Sequence, residues 1–154
     1  MLAAEQAVAG VAARYHGFHR VTSRTDAKGQ QTQYDHDASG RVTEVRHYVL
    51  VNGTLTEDQK QRVDYYYDSN PFTSKPSTFS QNTWGRLAAV QFGWDTPYTS
   101  GGSFYYMYSY NTAGRLTGGT MDNGGGPQPM ASASYGPAGE MLSLLYNGYT
   151  ETRT

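Results

Sequence analysis

Polar and apolar residues alternate along most of this chain. In Phe104-Tyr-Tyr-Met-Tyr-Ser-Tyr110 the alternation puts Tyr108 and Tyr110 on one face of an extended strand and Ser109 on the other. The same period of two, broken at short intervals by Gly, Pro, Asn and Asp, predicts strands over residues 18–25, 30–36, 41–51, 54–67, 79–81, 86–94, 104–110, 115–121, 131–135, 140–147 and 149–154. Asn52-Gly53 is the strongest hairpin signal, because this pair favours a two-residue type I′ turn. Such a turn opposes Leu50 to Leu55, Val42 to Val63 and Arg41 to Asp64. Residues 57–61 interrupt the pattern, and a single helical turn fits them. Loops are expected at 69–77, 95–103 and 122–129, around Pro71, Pro76, Pro97 and a run of glycines. Residues 1–13 differ: they are alanine-rich, and alanine is the best helix former. A short helix is expected there, with 1–17 as an N-terminal segment and 18–154 as the β domain.

The turns share a grammar. Tyr108-Ser-Tyr-Asn-Thr-Ala-Gly-Arg-Leu116 sets it, and Tyr34-Asp-His-Asp-Ala-Ser-Gly-Arg-Val42 repeats it. Phe79-Ser-Gln-Asn-Thr-Trp-Gly-Arg-Leu87 and Ala133-Ser-Tyr-Gly-Pro-Ala-Gly-Glu-Met141 follow the same order, and Thr25-Asp-Ala-Lys-Gly-Gln30 is a shorter echo. Asp37, Asn82 and Asn111 suit the start of a turn, where a short polar side chain bonds its own backbone. Gly40, Gly85, Gly114 and Gly139 stand where the reversal calls for positive φ. Val42, Leu87, Leu116 and Met141 then restart a strand. Each copy is therefore a hairpin, and a lone hairpin is marginal in water, so the copies must lie side by side.

These residues resemble the YD-repeat, or Rhs-repeat, proteins, whose pattern is roughly Tyr-x-Tyr-Asp-x-x-Gly-Arg-Leu, and the resemblance covers residues 19–154. That family includes bacterial Rhs polymorphic toxins, the shells of insecticidal toxin complexes and teneurin ectodomains. The resemblance implies an all-β fold of antiparallel hairpin repeats stacked in a meandering or spiralling sheet that walls off a hollow shell. Tyr34, Asp37, Gly40, Arg41, Asn82, Gly85, Arg86, Tyr108, Tyr110, Asn111, Gly114, Arg115, Tyr135 and Gly139 are the repeat-defining positions. His36 and Gln81 stand where the second Tyr belongs, Gly136 where the Asp belongs and Glu140 where the Arg belongs. Those copies are expected to hold their turns less rigidly. Self-cleaving Rhs shells use an Asp-Pro segment, and no Asp here precedes Pro, so that activity does not carry over.

Composition narrows the partners. A chain of 154 residues can build a core, but only 37% of it is hydrophobic and fourteen residues are Tyr. Tyrosine keeps a hydroxyl that needs a partner, so the core should be thin and amphipathic. The net charge of −1 gives no steering towards nucleic acid or anionic membrane. The absence of Cys excludes disulfides and thiolate metal sites. No stretch approaches the roughly 20 apolar residues of a membrane span. The N-terminal segment carries Glu5 and no early Lys or Arg, a poor secretory signal, and reads as an artificial boundary or the end of an upstream segment.

Candidate chemistry is sparse. Asp35-His-Asp-Ala-Ser-Gly40 copies half of an EF-hand calcium loop, but the twelfth position, normally a bidentate Glu, is Arg46, so the plain turn is favoured. His16, His19, His36 and His47 lack supportive metal-ligand spacing. Glu57-Asp58 sits in a polar run that reads as a solvated face. No cofactor, metal or catalytic residue is assigned, and no nucleophile elbow exists. Trp84, Trp94 and Tyr98 are candidate glycan or partner contacts, against the alternative that they pack in the repeat core. Arg41, Arg86 and Arg115 read as structural, a guanidinium stacking on a neighbouring Tyr and bonding turn carbonyls of the adjacent copy.

The expected function is a non-enzymatic structural segment of a secreted or cell-surface repeat protein, walling off or presenting a cargo or toxin domain. The last copy, from Tyr149, looks cut short, and an open edge strand can pair with other copies. A self-assembling extracellular fibre is therefore the first alternative, and a glycan-binding module the second.

Overall fold

The computed structural model of the chain describes residues 5–8, 11–16, 20–72, 79–93, 104–123, 126–146 and 149–152. Among them are thirteen β-strands and one three-residue 3-10 turn, and every paired strand whose register is resolved is antiparallel. The strands are β1 Glu5–Val8, β2 Val11–Tyr15, β3 Val21–Thr25, β4 Gln31–His36, β5 Val42–Val51, β6 Thr54–Glu57 and β7 Val63–Tyr67. They continue as β8 Leu87–Phe92, β9 Phe104–Tyr110, β10 Leu116–Asp122, β11 Pro127–Tyr135, β12 Met141–Tyr146 and β13 Tyr149–Thr152. The all-β reading from hydropathy alternation holds. Two compact units contain them: Met1–Asp64 with Phe92–Thr96, and Tyr65–Gln91 with Pro97–Thr154.

In the first unit β1 to β5 pair in chain order, with β6 and the start of β7 both on β5. Register decides its two faces. Ala13 opposes Arg24, Thr32 opposes His47 and Tyr34 opposes Val45, so these six share one face. The other face takes Gln31, Gln33, Asp35, Glu44 and Arg46. There Arg46 pairs with Asp35 and lies 3.6 Å from Glu44, while Arg62 reaches Glu44 at 3.4 Å and Glu57 at 2.7 Å. Burial, and then the hydrogen bond with the Asp35 carboxyl, push the Glu44 carboxyl above its ordinary value despite both arginines. Among the described residues from 12 to 64 none is buried; both faces are half open to solvent.

Three expectations fail in instructive ways. The described residues of the alanine-rich segment are not helical but pair as β1 and β2, with Glu5 opposite Arg14, and β2 goes on to pair with β3. Alanine's helix preference is a fraction of a kcal/mol per residue and short helices are marginal, so pairing to a ready strand edge prevails. At the Asn52-Gly53 turn Leu50 opposes Leu55 as expected, but Val63 faces Val45 and Asp64 faces Glu44, not Val42 and Arg41. The 3-10 turn Gln59–Gln61, capped by the Asp58 side chain on the Lys60 N–H, takes up the difference, where a helical turn was expected. Residues 79–81 are not a strand: β7 lies beside β8 instead.

The second unit runs β8 to β13 in chain order, with the end of β7 beside β8. On β9 the tyrosines Tyr106, Tyr108 and Tyr110 take one face, and Tyr105, Met107 and Ser109 the other. Phe72 and Phe79, at either side of residues 73–78, lie against that second face. The Phe72 ring stands 4.2 Å from Tyr105 and 5.2 Å from Tyr66, and Phe79 packs on Gly118, where no side chain intervenes. The buried residues of this unit are Ala88, Ala89 and Met107, fully so, with Val90, Gln91, Ser109, Thr120 and Asp122 nearly so, and the consecutive residues of β8 are covered on both faces. Polar members are satisfied, as Tyr66 Oη donates to Gln91 Oε1 at 3.0 Å and Thr120 Oγ1 to the Gln128 carbonyl at 2.9 Å.

Candidate functional site

The repeated turns carry the chain's most regular chemistry. In each, the first residue's N–H donates to the carbonyl four positions on: Asp26 to Gln30, Asp37 to Arg41, Asn111 to Arg115 and Gly136 to Glu140, all at 2.9 Å. Where that first residue has a side-chain oxygen, it accepts the N–H of the same partner, again at 2.9 Å for Asp26, Asp37 and Asn111. Gly29, Gly40, Gly114 and Gly139 all have φ between 79° and 87°. Asp37 adds an ion pair to Arg41 Nε at 2.6 Å.

One copy departs from its sequence register. Asn82 does not open the turn; Asp68 does, across the long connection. The Asp68 N–H donates to the Arg86 carbonyl at 3.0 Å, its Oδ1 accepts Gly85 N–H at 2.6 Å and its carbonyl accepts Thr83 Oγ1 at 2.7 Å. Asn82, at φ 51°, instead donates from Nδ2 to the Tyr110 carbonyl at 2.8 Å, and Gln81 bonds Ser109 and Tyr110 at the same end of that strand. The signal was present in Tyr65-Tyr-Tyr-Asp68, the motif's own Tyr-Asp pair, separated from Gly85-Arg86 by the inserted connection. A further turn was also missed: His16 N–H donates to the Arg20 carbonyl at 3.0 Å, so Arg20-Val21 repeats Arg41-Val42.

The arginines link successive copies. Arg86 lies over the Tyr110 ring at 5.8 Å and Arg115 over Tyr135 at 5.7 Å. Each tyrosine in turn donates its hydroxyl to the carbonyl after that arginine, Tyr110 to Leu87 at 2.8 Å and Tyr135 to Leu116 at 2.9 Å. The guanidinium of Arg86 rests where a Gly114 side chain would be, that of Arg115 at Gly139, and that of Arg20 at Gly40. Glycine thus serves twice, for its φ and as the seat of the preceding copy's arginine. Arg86 also donates to its own turn, to the Asn82 and Trp84 carbonyls at 3.0 and 3.1 Å. In the final turn the pair is exchanged: Gly136 offers no side chain, and the Glu140 carboxylate occupies the vacant space beside it.

Replacing Arg115 by Lys removes the planar stack while keeping the charge, and a stacked cation of this kind contributes about 0.5–2 kcal/mol. A lower melting temperature than for Lys75→Arg is the expected result; equal values would argue against the stack. Asp37 allows a second test. Its carboxyl is held below the ordinary value by the Arg41 backbone N–H, with the guanidinium adding to the effect. A depressed carboxylate stabilises the fold above its unfolded pKa, and that share is lost as pH falls through the folded one. Asp37→Asn should therefore lower the melting temperature at pH 7 and narrow the gap between neutral and strongly acidic pH; an unchanged gap refutes the assignment.

Tyr108 and Tyr110 are half-buried, and burial pushes both phenols above their ordinary value. Trp84 stands at the tip of its turn, 83% exposed, whereas Trp94 and Tyr98 lie outside the described residues. Among the described residues no three His, Asp or Glu side chains gather to hold a metal ion, and no helix is long and apolar enough to cross a membrane.

A chain of antiparallel hairpins pinned turn to turn is a β-repeat architecture. Residues 15–49, a stretch beginning beside the first of the turns above, match the family model described as RHS Repeat. The structure of the Photorhabdus luminescens Tc holotoxin pore is similar over 89% of this chain and 5% of its own, at 18% identity with a TM-score of 0.60, a likeness of fold. Crystal structures of TcdB2-TccC3-TEV and of TcdB2-TccC3 without its hypervariable C-terminal region match 88% of this chain and 9% of theirs at 12% identity, with TM-scores of only 0.36 and 0.35. No curated protein sequence matches.

Proposed function

We infer that this chain is a non-catalytic wall segment of a larger secreted or cell-surface repeat protein, enclosing or presenting a cargo domain that lies outside residues 1–154. The observation that supports this most is the turn-to-turn linkage, in which Arg86 and Arg115 each rest on the glycine of the next copy. A device of that kind holds neighbours and extends by simple addition, so it suits a wall better than a reaction centre. On this reading the repeat-defining residues, from Tyr34 to Gly139, do their work by fixing the spacing of hairpins.

Two measurements test it. Light scattering and electron microscopy of this chain should give monomers without filaments; filaments that lengthen with concentration would replace the wall by a fibre. In the full-length protein the cargo should resist protease until the wall is destabilised. A cargo cut as fast as when isolated excludes enclosure. The fibre reading draws on β13, whose outer side pairs with no strand among the described residues. The exposed Trp84 favours glycan binding as a further reading, and a glycan array unaffected by Trp84→Ala removes it.

A further inference from the structure

Register sets three acidic residues in one row of the first unit. Asp35 on β4 opposes Glu44 on β5, and Glu44 in turn opposes Asp64 on β7. Side chains directly opposite stand about 4.5–5.5 Å apart at Cβ, and like charges there work against pairing. Among the described residues β5 meets β7 only through Glu44–Asp64 and Val45–Val63, so one of the two pairs sets acid against acid. Glu57 on β6, opposite Tyr48 of β5, adds a fourth carboxylate to the same face.

Two guanidinium groups face these four carboxylates, and neither closes on Glu44. Arg46 bonds Asp35, while its buried Nε makes no hydrogen bond among the described residues and lies 3.6 Å from Glu44 Oε2. Arg62 commits its fork to Glu57, Nε and Nη2 each donating at 2.7 Å, and stays 3.4 Å from Glu44. The charge of Asp64 acts on the same Arg62. Glu44 instead makes a side-chain hydrogen bond with Asp35. Ionised carboxylates only accept, so that bond requires one proton held between the two. Burial first, and then this bond, hold the Glu44 carboxyl above its ordinary value. A carboxyl raised in this way adds stability that is present below its unfolded pKa and is lost as pH rises through the folded one.

We propose that the junction of β5 and β7 is a pH-sensitive latch. In mild acid Asp35 and Glu44 share one proton and β7 is held. As pH rises that proton leaves, Glu44 stands ionised between Asp35 and Asp64, and the junction loosens. Hydrogen exchange at the amides of residues 44, 45, 63 and 64, corrected for the intrinsic rate, reads the junction directly. Their protection should fall about threefold or more between about pH 5 and about pH 7.5, and Glu44→Gln should remove most of that fall. Carboxyl-carbon NMR of the unaltered chain follows the same event without any variant. There the Glu44 midpoint should lie above the ordinary glutamate value. A midpoint at or below that value, protection that does not fall with rising pH, or an equal fall in Glu44→Gln would each overturn the latch.

Discussion

Met107→Ala should lower the stability of the second unit by about 2–5 kcal/mol, the range for emptying a buried methionine site. Met107 is fully buried, on the face of β9 against which Phe72 and Phe79 pack through Tyr105 and Gly118. Partial collapse into the cavity would place the loss near the lower end. Leu142→Ala, at a residue 41% exposed in the same unit, should change stability by only about 0.5 kcal/mol. Urea midpoints for the two variants decide the matter. Similar shifts would mean that Met107 does not sit in a packed core.

Gly114→Ala should cost more than Gly53→Ala, although both glycines have φ close to 80°. The strain of a side chain in that conformation is shared, about 1–3 kcal/mol for each. The difference lies in the surroundings. A methyl group at Gly53 meets nothing within 4 Å, whereas at Gly114 it displaces the Arg86 guanidinium and with it the contact to Tyr110. Arg86→Ala should therefore cost less in the Gly114→Ala background than alone, with a coupling above about 0.5 kcal/mol in a double-mutant cycle. Additive losses would show that the seat at Gly114 contributes nothing.

Local rules read correctly from sequence wherever one residue type settles the geometry. Gly40, Gly114 and Gly139 fall at reversals because tight turns of this kind select glycine, and Leu50 meets Leu55 because Asn52-Gly53 permits a single register. Errors came where tertiary pairing outweighed a local preference. Val63 slid to Val45 because a 3-10 turn absorbed three residues whose polarity fitted either strand or coil. Asp68 went unrecognised because its turn partners, Thr83 and Gly85, lie beyond a long insertion, and Asn82 offered a nearer imitation. The seating of Arg20, Arg86 and Arg115 on Gly40, Gly114 and Gly139 could not be foreseen at all. It depends on the offset between neighbouring hairpins, which no single repeat encodes.

The in-order strand path of the second unit also fixes how it would yield to an unfolding motor. Among the described residues, each strand from β9 to β12 pairs in the sheet with its predecessor and its successor. A pull on the C-terminal side would strip ribbons singly, breaking few bonds at a time, until it reached β9. Resistance should then rise, because β9 carries the fully buried Met107.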